Sequence, residues 1–178
     1  LIVGASTRRA HAHDEARAAA LRAELEARGA AVRDLAARCV AQVSPAPRFA
    51  VPDVAALGPV PSDPAAVDAY LLRLDAVGRA LSIAQAAYAG TLAEREELRG
   101  RLGGYAAKAA ATAASGSGGT AQDLAELERR AAGSLDEVPA DLVRARALIA
   151  AYQAYLGSTQ PRPGGATHAT ASTRGGTP

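Results

Sequence analysis

The chain has 178 residues, enough for one ordinary domain, with 20 basic against 18 acidic residues and a net charge of +2. So balanced a chain offers no electrostatic case for binding nucleic acid or a membrane surface. Alanine dominates the apolar residues, and the large ones are scarce: one Phe, five Tyr and no Trp. Burial free energy follows apolar area, so this composition suits thin helix–helix seams better than a thick globular core. A single cysteine, Cys39, excludes an internal disulfide. No stretch approaches the ~18 apolar residues of a membrane-spanning helix, and no signal peptide is evident.

Leu1 to Ser6 is apolar and is followed by Arg8 and Arg9. Three readings fit. One is a first Rossmann strand, although only Gly4 of its glycine fingerprint is present. The second is the end of a membrane helix with the Arg pair as its cytoplasmic flank. The third is a helix start. The chain has no Met, and the expectation from this opening is a longer natural protein with a membrane helix upstream.

A first helix is predicted from about residue 10 to 43. Ala18, Leu21, Leu25, Arg28, Val32, Leu35 and Cys39 follow a three–four alternation, a heptad-like seam with one Arg in it. That seam is the expected self-association surface, with Arg28 set to snorkel or to pair with an acid on the partner. Glu24–Arg28 and Asp34–Arg38 are spaced as i,i+4 pairs. Residues 44–63 carry five prolines and are read as a semi-rigid linker. Its Phe49, Val51, Val54 and Leu57 are apolar enough to lie across a helix surface.

The dominant element is a predicted helix over 64–114. Asp63 is a good N-cap, and Pro64 sits at the first helical position, where its missing N–H costs nothing. Val67, Leu71, Leu74, Val77, Leu81, Tyr88, Leu92, Leu102, Tyr105 and Ala109 form one stripe. Gln85 interrupts it as a polar register device, and Asp75–Arg79 and Glu97–Arg101 are surface ion pairs. Gly100, Gly103 and Gly104 predict a kink or break. The run Ser115-Gly-Ser-Gly-Gly-Thr120 reads as a flexible linker, whose Thr120 caps a third helix with Asp123 as its capping-box partner. The third seam is Leu124, Leu127, Ala131 and Leu135. Pro139 is expected to start a fourth helix with the stripe Leu142, Ala145, Ile149, Tyr152 and Leu156, stopped by Gly157.

The fold class expected is therefore all-α: a long-helix coiled coil or antiparallel bundle, the last two helices folding back as a hairpin. Four segments organise it. Residues 1–43 are the N-terminal helix with its apolar stub, 44–63 the linker, 64–157 the long helix with a two-helix module, and 158–178 a disordered tail. No set of residues qualifies as catalytic, cofactor-binding or metal-binding. His11 and His13 are two apart, so on a helix they point to different sides and share no metal. Cys39 reads as a small buried seam residue rather than a nucleophile.

Within residues 94–156, Glu97-Leu-Arg-Gly-Arg-Leu102, Tyr105-Ala-Ala-Lys108, Leu124-Ala-Glu-Leu127, Val138-Pro-Ala-Asp-Leu142 and Tyr152-Gln153 recur in the order of a known module. The segment resembles the C-terminal helical module of actinobacterial GlnX-like proteins. These are membrane proteins encoded beside a PknG-type Ser/Thr kinase and a glutamine-type binding protein. The resemblance implies transmission of an amino-acid signal from the cell surface to the kinase, with Leu98, Leu102, Tyr105, Lys108, Pro139, Asp141, Leu142 and Tyr152 as packing and surface positions. The expectation is a non-catalytic interaction module with protein partners and no cofactor. Its location would be cytoplasmic, including the cytoplasmic face of a membrane. The alternatives are a free cytoplasmic coiled-coil scaffold and a truncated nucleotide-binding α/β enzyme.

Overall fold

The computed structural model describes residues 2–114 and 118–158, and among them the fold is all-α. Four helices follow one another: α1 (Ile2–Gln42), α2 (Pro64–Ala113), α3 (Gly118–Asp136) and α4 (Leu142–Ser158). Two dipeptides, β1 (Val43–Ser44) and β2 (Ala140–Asp141), pair in parallel, Val43 opposite Ala140. The backbone is helical from Ile2 onward, so the Rossmann-strand reading of the opening falls. The predicted tail lies outside the described residues.

The spine is α2, 50 residues long, or about 75 Å. Its start is as the sequence has it: the Asp63 carboxylate accepts the Ala66 N–H at 3.0 Å, with Pro64 at the first helical position. Val67, Leu74, Leu81, Tyr88, Arg95 and Leu102 are buried at sevenfold spacing, and Tyr70, Ala84 and Leu98 fill the alternate positions. This differs from the predicted stripe, which held Leu71 in place of Tyr70, included Leu92 and left out Leu98; Leu71 and Leu92 are only half-buried. The helix runs unbroken through Gly100, Gly103 and Gly104, which all lie on its exposed side. A helix held by its other face tolerates glycines there.

Helix α1 covers the first half of the spine and runs parallel to it. His11 meets Ser62, Leu25 lies against Gly78, and Arg28 meets Ser82 and Gln85, so the contacts advance together along both helices. Ala18, Leu25, Val32 and Cys39 are buried, seven residues apart. The seam expected to face a second chain is thus occupied within the molecule. Arg28 also turns inward to the chain's own α2: it donates to Gln85 Oε1 at 3.0 and 3.1 Å and to Ser82 Oγ at 3.1 Å.

Parallel helices require residues 43–63 to travel back along the whole seam. About 32 residues of α1, or roughly 48 Å, must be retraced, within reach of a 20-residue extended strap. Two seam tyrosines fasten it. Tyr88 Oη donates to Phe49 O at 2.7 Å and accepts from Phe49 N at 3.2 Å, and Tyr70 Oη donates to Gly58 O at 2.9 Å. Between them Asp53 caps a short 3-10 helix (Val54–Leu57), whose Val54 is buried. Gly58 ends it at φ +76°, a backbone conformation that favours glycine.

Helices α3 and α4 cover the second half of α2. Helix α3 runs back along it, bringing Leu135 to Arg95, and α4 returns, bringing Arg146 to Glu94 and Tyr152 to Tyr105. The fourth-helix stripe Leu142, Ala145, Ile149, Tyr152 and Leu156 is buried throughout. Two boundaries shift. Helix α3 starts at Gly118, placing Thr120 inside it rather than at its cap. Helix α4 starts at Leu142, because Pro139 is followed by the β2 pairing and Asp141 is the cap, its carboxylate accepting the Arg144 N–H at 2.9 Å.

Space at the α1–α2 seam sets the outcome of two substitutions. A Cβ on buried Gly29 would meet its nearest neighbours at 3.6 to 4.0 Å, ordinary contact. Gly29→Ala should therefore raise unfolding free energy by up to about 1 kcal/mol in a urea titration. Leu81→Ala, beside it, should lower it by about 2–5 kcal/mol.

Candidate functional site

Three features stand apart from the apolar seams. The first is Arg95, which occupies a seam position in α2 yet is only 8% exposed. Its Nε and Nη2 donate to Leu135 O at 3.1 and 2.7 Å, and Arg99 Nη2 donates to the same oxygen at 3.1 Å. Leu135 lies in the last turn of α3, where carbonyls lack intrahelical partners and the helix dipole is negative. Two guanidiniums answer both needs, and Arg99 also pairs with Asp136 at 2.9 Å. This clamp holds the α3 terminus against α2.

The second is an open groove of about 170 Å³ at the far end of the bundle, between α2 and α3. Ala106, Ala109, Ala110 and Ala113 of α2 face Ala121, Leu124 and Ala125 of α3. Methyl groups are too short to close the space between two helices, so it stays open. Tyr152 reaches it from α4, stacked on Tyr105 with ring centroids 6.4 Å apart. Tyr152 is 0% exposed, and its hydroxyl has no hydrogen-bond partner among the described residues. Burial, and then the nearby Glu128 carboxylate, raise the phenol above its ordinary pKa and keep it protonated. By contrast Tyr155, one turn on, donates to Asp123 Oδ2 at 2.6 Å.

The third feature is a surface. On the side of α2 opposite its seam, Ala65, Ala69, Leu72, Ala76, Ile83, Ala86, Gly90 and Ala93 are exposed at three–four spacing. Leu72 is 72% and Ile83 58% exposed. The one charged residue in this stripe, Arg79, is ion-paired with Asp75. A long helix thus carries a second seam, and nothing among the described residues covers it.

The remaining candidates resolve simply. His11 and His13 both lie on α1, and His11 Nε2 is 2.9 Å from Ser62 O and 3.2 Å from Glu15. Among the described residues no group of three or more His, Cys, Asp or Glu is placed to hold a metal. Cys39 is fully buried, and burial pushes its thiol up. Of the positions carrying the family resemblance, Leu98, Leu102, Leu142 and Tyr152 are buried, Tyr105 is half-buried, and Lys108 and Pro139 are exposed. Asp141 caps α4, and its carbonyl accepts from Ser134 at 3.1 Å.

Sequence reading missed Arg95 and the groove. Arg95 had a usable signal, because it falls on the seven-residue spacing between Tyr88 and Leu102. The groove had none beyond alanine in both facing helices. No protein-family model, curated protein or solved structure matches this chain. No helix among the described residues is long and apolar enough to cross a membrane.

Arg95→Met keeps the length of the side chain and removes the clamp. It leaves Leu135 O with Arg99 alone, and unfolding free energy should fall by about 1–3 kcal/mol. Limited proteolysis should then cut between α3 and α4 faster than in the parent protein, with cleavage in α1 unchanged.

Proposed function

We propose that this chain is a non-catalytic helical interaction module, and that a second copy docks on the outer stripe of α2. The observation that carries the reading is the exposure of Leu72 and Ile83 in a stripe with heptad spacing on an otherwise packed helix. Such an arrangement is what a coiled-coil partner buries. The flanks favour a parallel copy. Asp68, Asp75 and Glu96 lie along one side of the stripe, and Arg73 and Arg101 along the other. Residues five apart on opposite flanks meet across a parallel in-register pair, which sets Asp68 of one copy beside Arg73 of the other, and Glu96 beside Arg101. An antiparallel pair would bring the acidic flank against itself.

The resemblance of residues 94–156 extends the proposal. The module would act as the cytoplasmic transmission arm of a membrane-linked sensor coupled to a Ser/Thr kinase, with pairing of α2 as the event transmitted. This extension rests on the motifs alone.

Sedimentation equilibrium at micromolar concentration tests the docking surface. The parent chain should self-associate, and Leu72→Glu/Ile83→Glu should be monomeric with an unchanged circular dichroism spectrum, since both side chains are exposed. A monomeric parent, or a variant that associates equally well, would refute the assignment.

A further inference from the structure

The groove between α2 and α3 has the makings of a ligand site that the interaction reading does not use. Its walls are methyl groups, its volume is about 170 Å³, and it is lined by Tyr152, whose buried hydroxyl has no partner among the described residues. A buried polar group left unpaired costs free energy that a mutation to Phe would recover, so its retention calls for a reason. The chemistry of the walls narrows the occupant. An apolar cavity of about 150 Å³ accommodates a molecule the size of benzene. Besides the Tyr152 phenol, Glu128 is the one ionisable side chain among the described residues lining the space, and it is half-buried. A carboxylate beside a protonated phenol repels an anion and attracts a cation with N–H groups to donate. The phenol oxygen supplies a second acceptor at the same place. Thr112 adds a hydroxyl at the rim, already donating to Lys108 O at 3.0 Å.

We infer that the groove binds a small primary amine: a compact apolar body of about six carbons seated among the alanines, with its ammonium held by Glu128 and Tyr152. The site lies on the α2–α3 face of the far end of the bundle, and Leu72 and Ile83 lie in the half of α2 that α1 covers. Occupancy therefore does not depend on self-association.

Cyclohexylamine, cyclohexanol and cyclohexanecarboxylate serve as probes of one shape and three charges. They are titrated into the full chain with alanine methyl groups isotopically labelled for NMR. The amine should shift the Ala109, Ala110 and Ala125 methyls saturably, the alcohol more weakly, and the carboxylate not at all. Glu128→Gln should weaken amine binding about tenfold and abolish the preference over the alcohol, since a hydrogen bond to a charged group is lost. Tyr152→Phe should weaken binding severalfold while raising the melting temperature, which a merely structural hydroxyl would not do. Ala125→Leu should fill the groove and remove binding. Equal binding of amine and alcohol, unchanged affinity in Glu128→Gln, or no saturable shift in the parent would each overturn the assignment. The monomeric Leu72→Glu/Ile83→Glu variant should bind the amine as the parent does, which keeps this site separate from the docking surface. Loss of binding there would tie the shifts to association and overturn the assignment as well.

Discussion

A helix of 50 residues with an apolar seam along its full length must be covered along its full length, and no other helix among the described residues matches it. The fold is the solution to that constraint. Helix α1 reaches as far as the first half of α2, and the hairpin of α3 and α4 takes the second half. Where the two covers meet, Val43 pairs with Ala140, so the end of α1 and the start of α4 are joined by a short parallel ladder. The ladder carries one cover into the next without leaving a gap over Arg95 and Leu98. The clamp on Leu135 sits at the same level, which makes this the point where all four helices are tied together.

The parallel direction of α1 follows from the linker. A short turn would have given an antiparallel pair. Instead a strap runs back the length of the seam and becomes part of the packing, with Val54 buried and Val51, Leu57 and Val60 packed against the core. The tyrosines explain how so polar a backbone can lie there. Their rings belong to the seam, and their hydroxyls satisfy strap carbonyls that packing would otherwise leave bare. An alanine-rich chain with few aromatics spends two of its five tyrosines on this strap.

Much of this was legible in the sequence, and the failures share a cause. The limits of α2, the stripe of α4 and the burial of Cys39 follow from caps and spacing alone. Choosing Leu71 over adjacent Tyr70 came from ranking the more apolar residue first, when the phenol had a polar partner waiting in the strap. Arg95 sits on the seam spacing, but its partner, a carbonyl in the last turn of α3, lies 40 positions away and leaves no local signal. The α1 seam was recognised, but not its owner. Periodicity tells which face is buried and is silent on whether the covering helix is in the same chain. Glycines 100, 103 and 104 mattered less than propensity suggested, because packing on the opposite face holds the helix straight through them. Pro139 misled because a helix start signal is local, whereas α4 begins only after the pairing of Ala140 and Asp141 with β1.

The account turns on the parallel course of α1 and α2 beneath the strap. Paired spin labels on a Cys39→Ser background measure it directly, at exposed sites on each helix. A parallel course sets Ala19 level with Ala69 and Ala41 level with Ala93, so both pairs should give the shorter distances, those across the helix pair. The Ala19–Ala93 pair should be longer by about 30 Å, from the rise of some two dozen helical residues. A short Ala19–Ala93 distance together with a long Ala19–Ala69 distance would show an antiparallel pair and contradict the account.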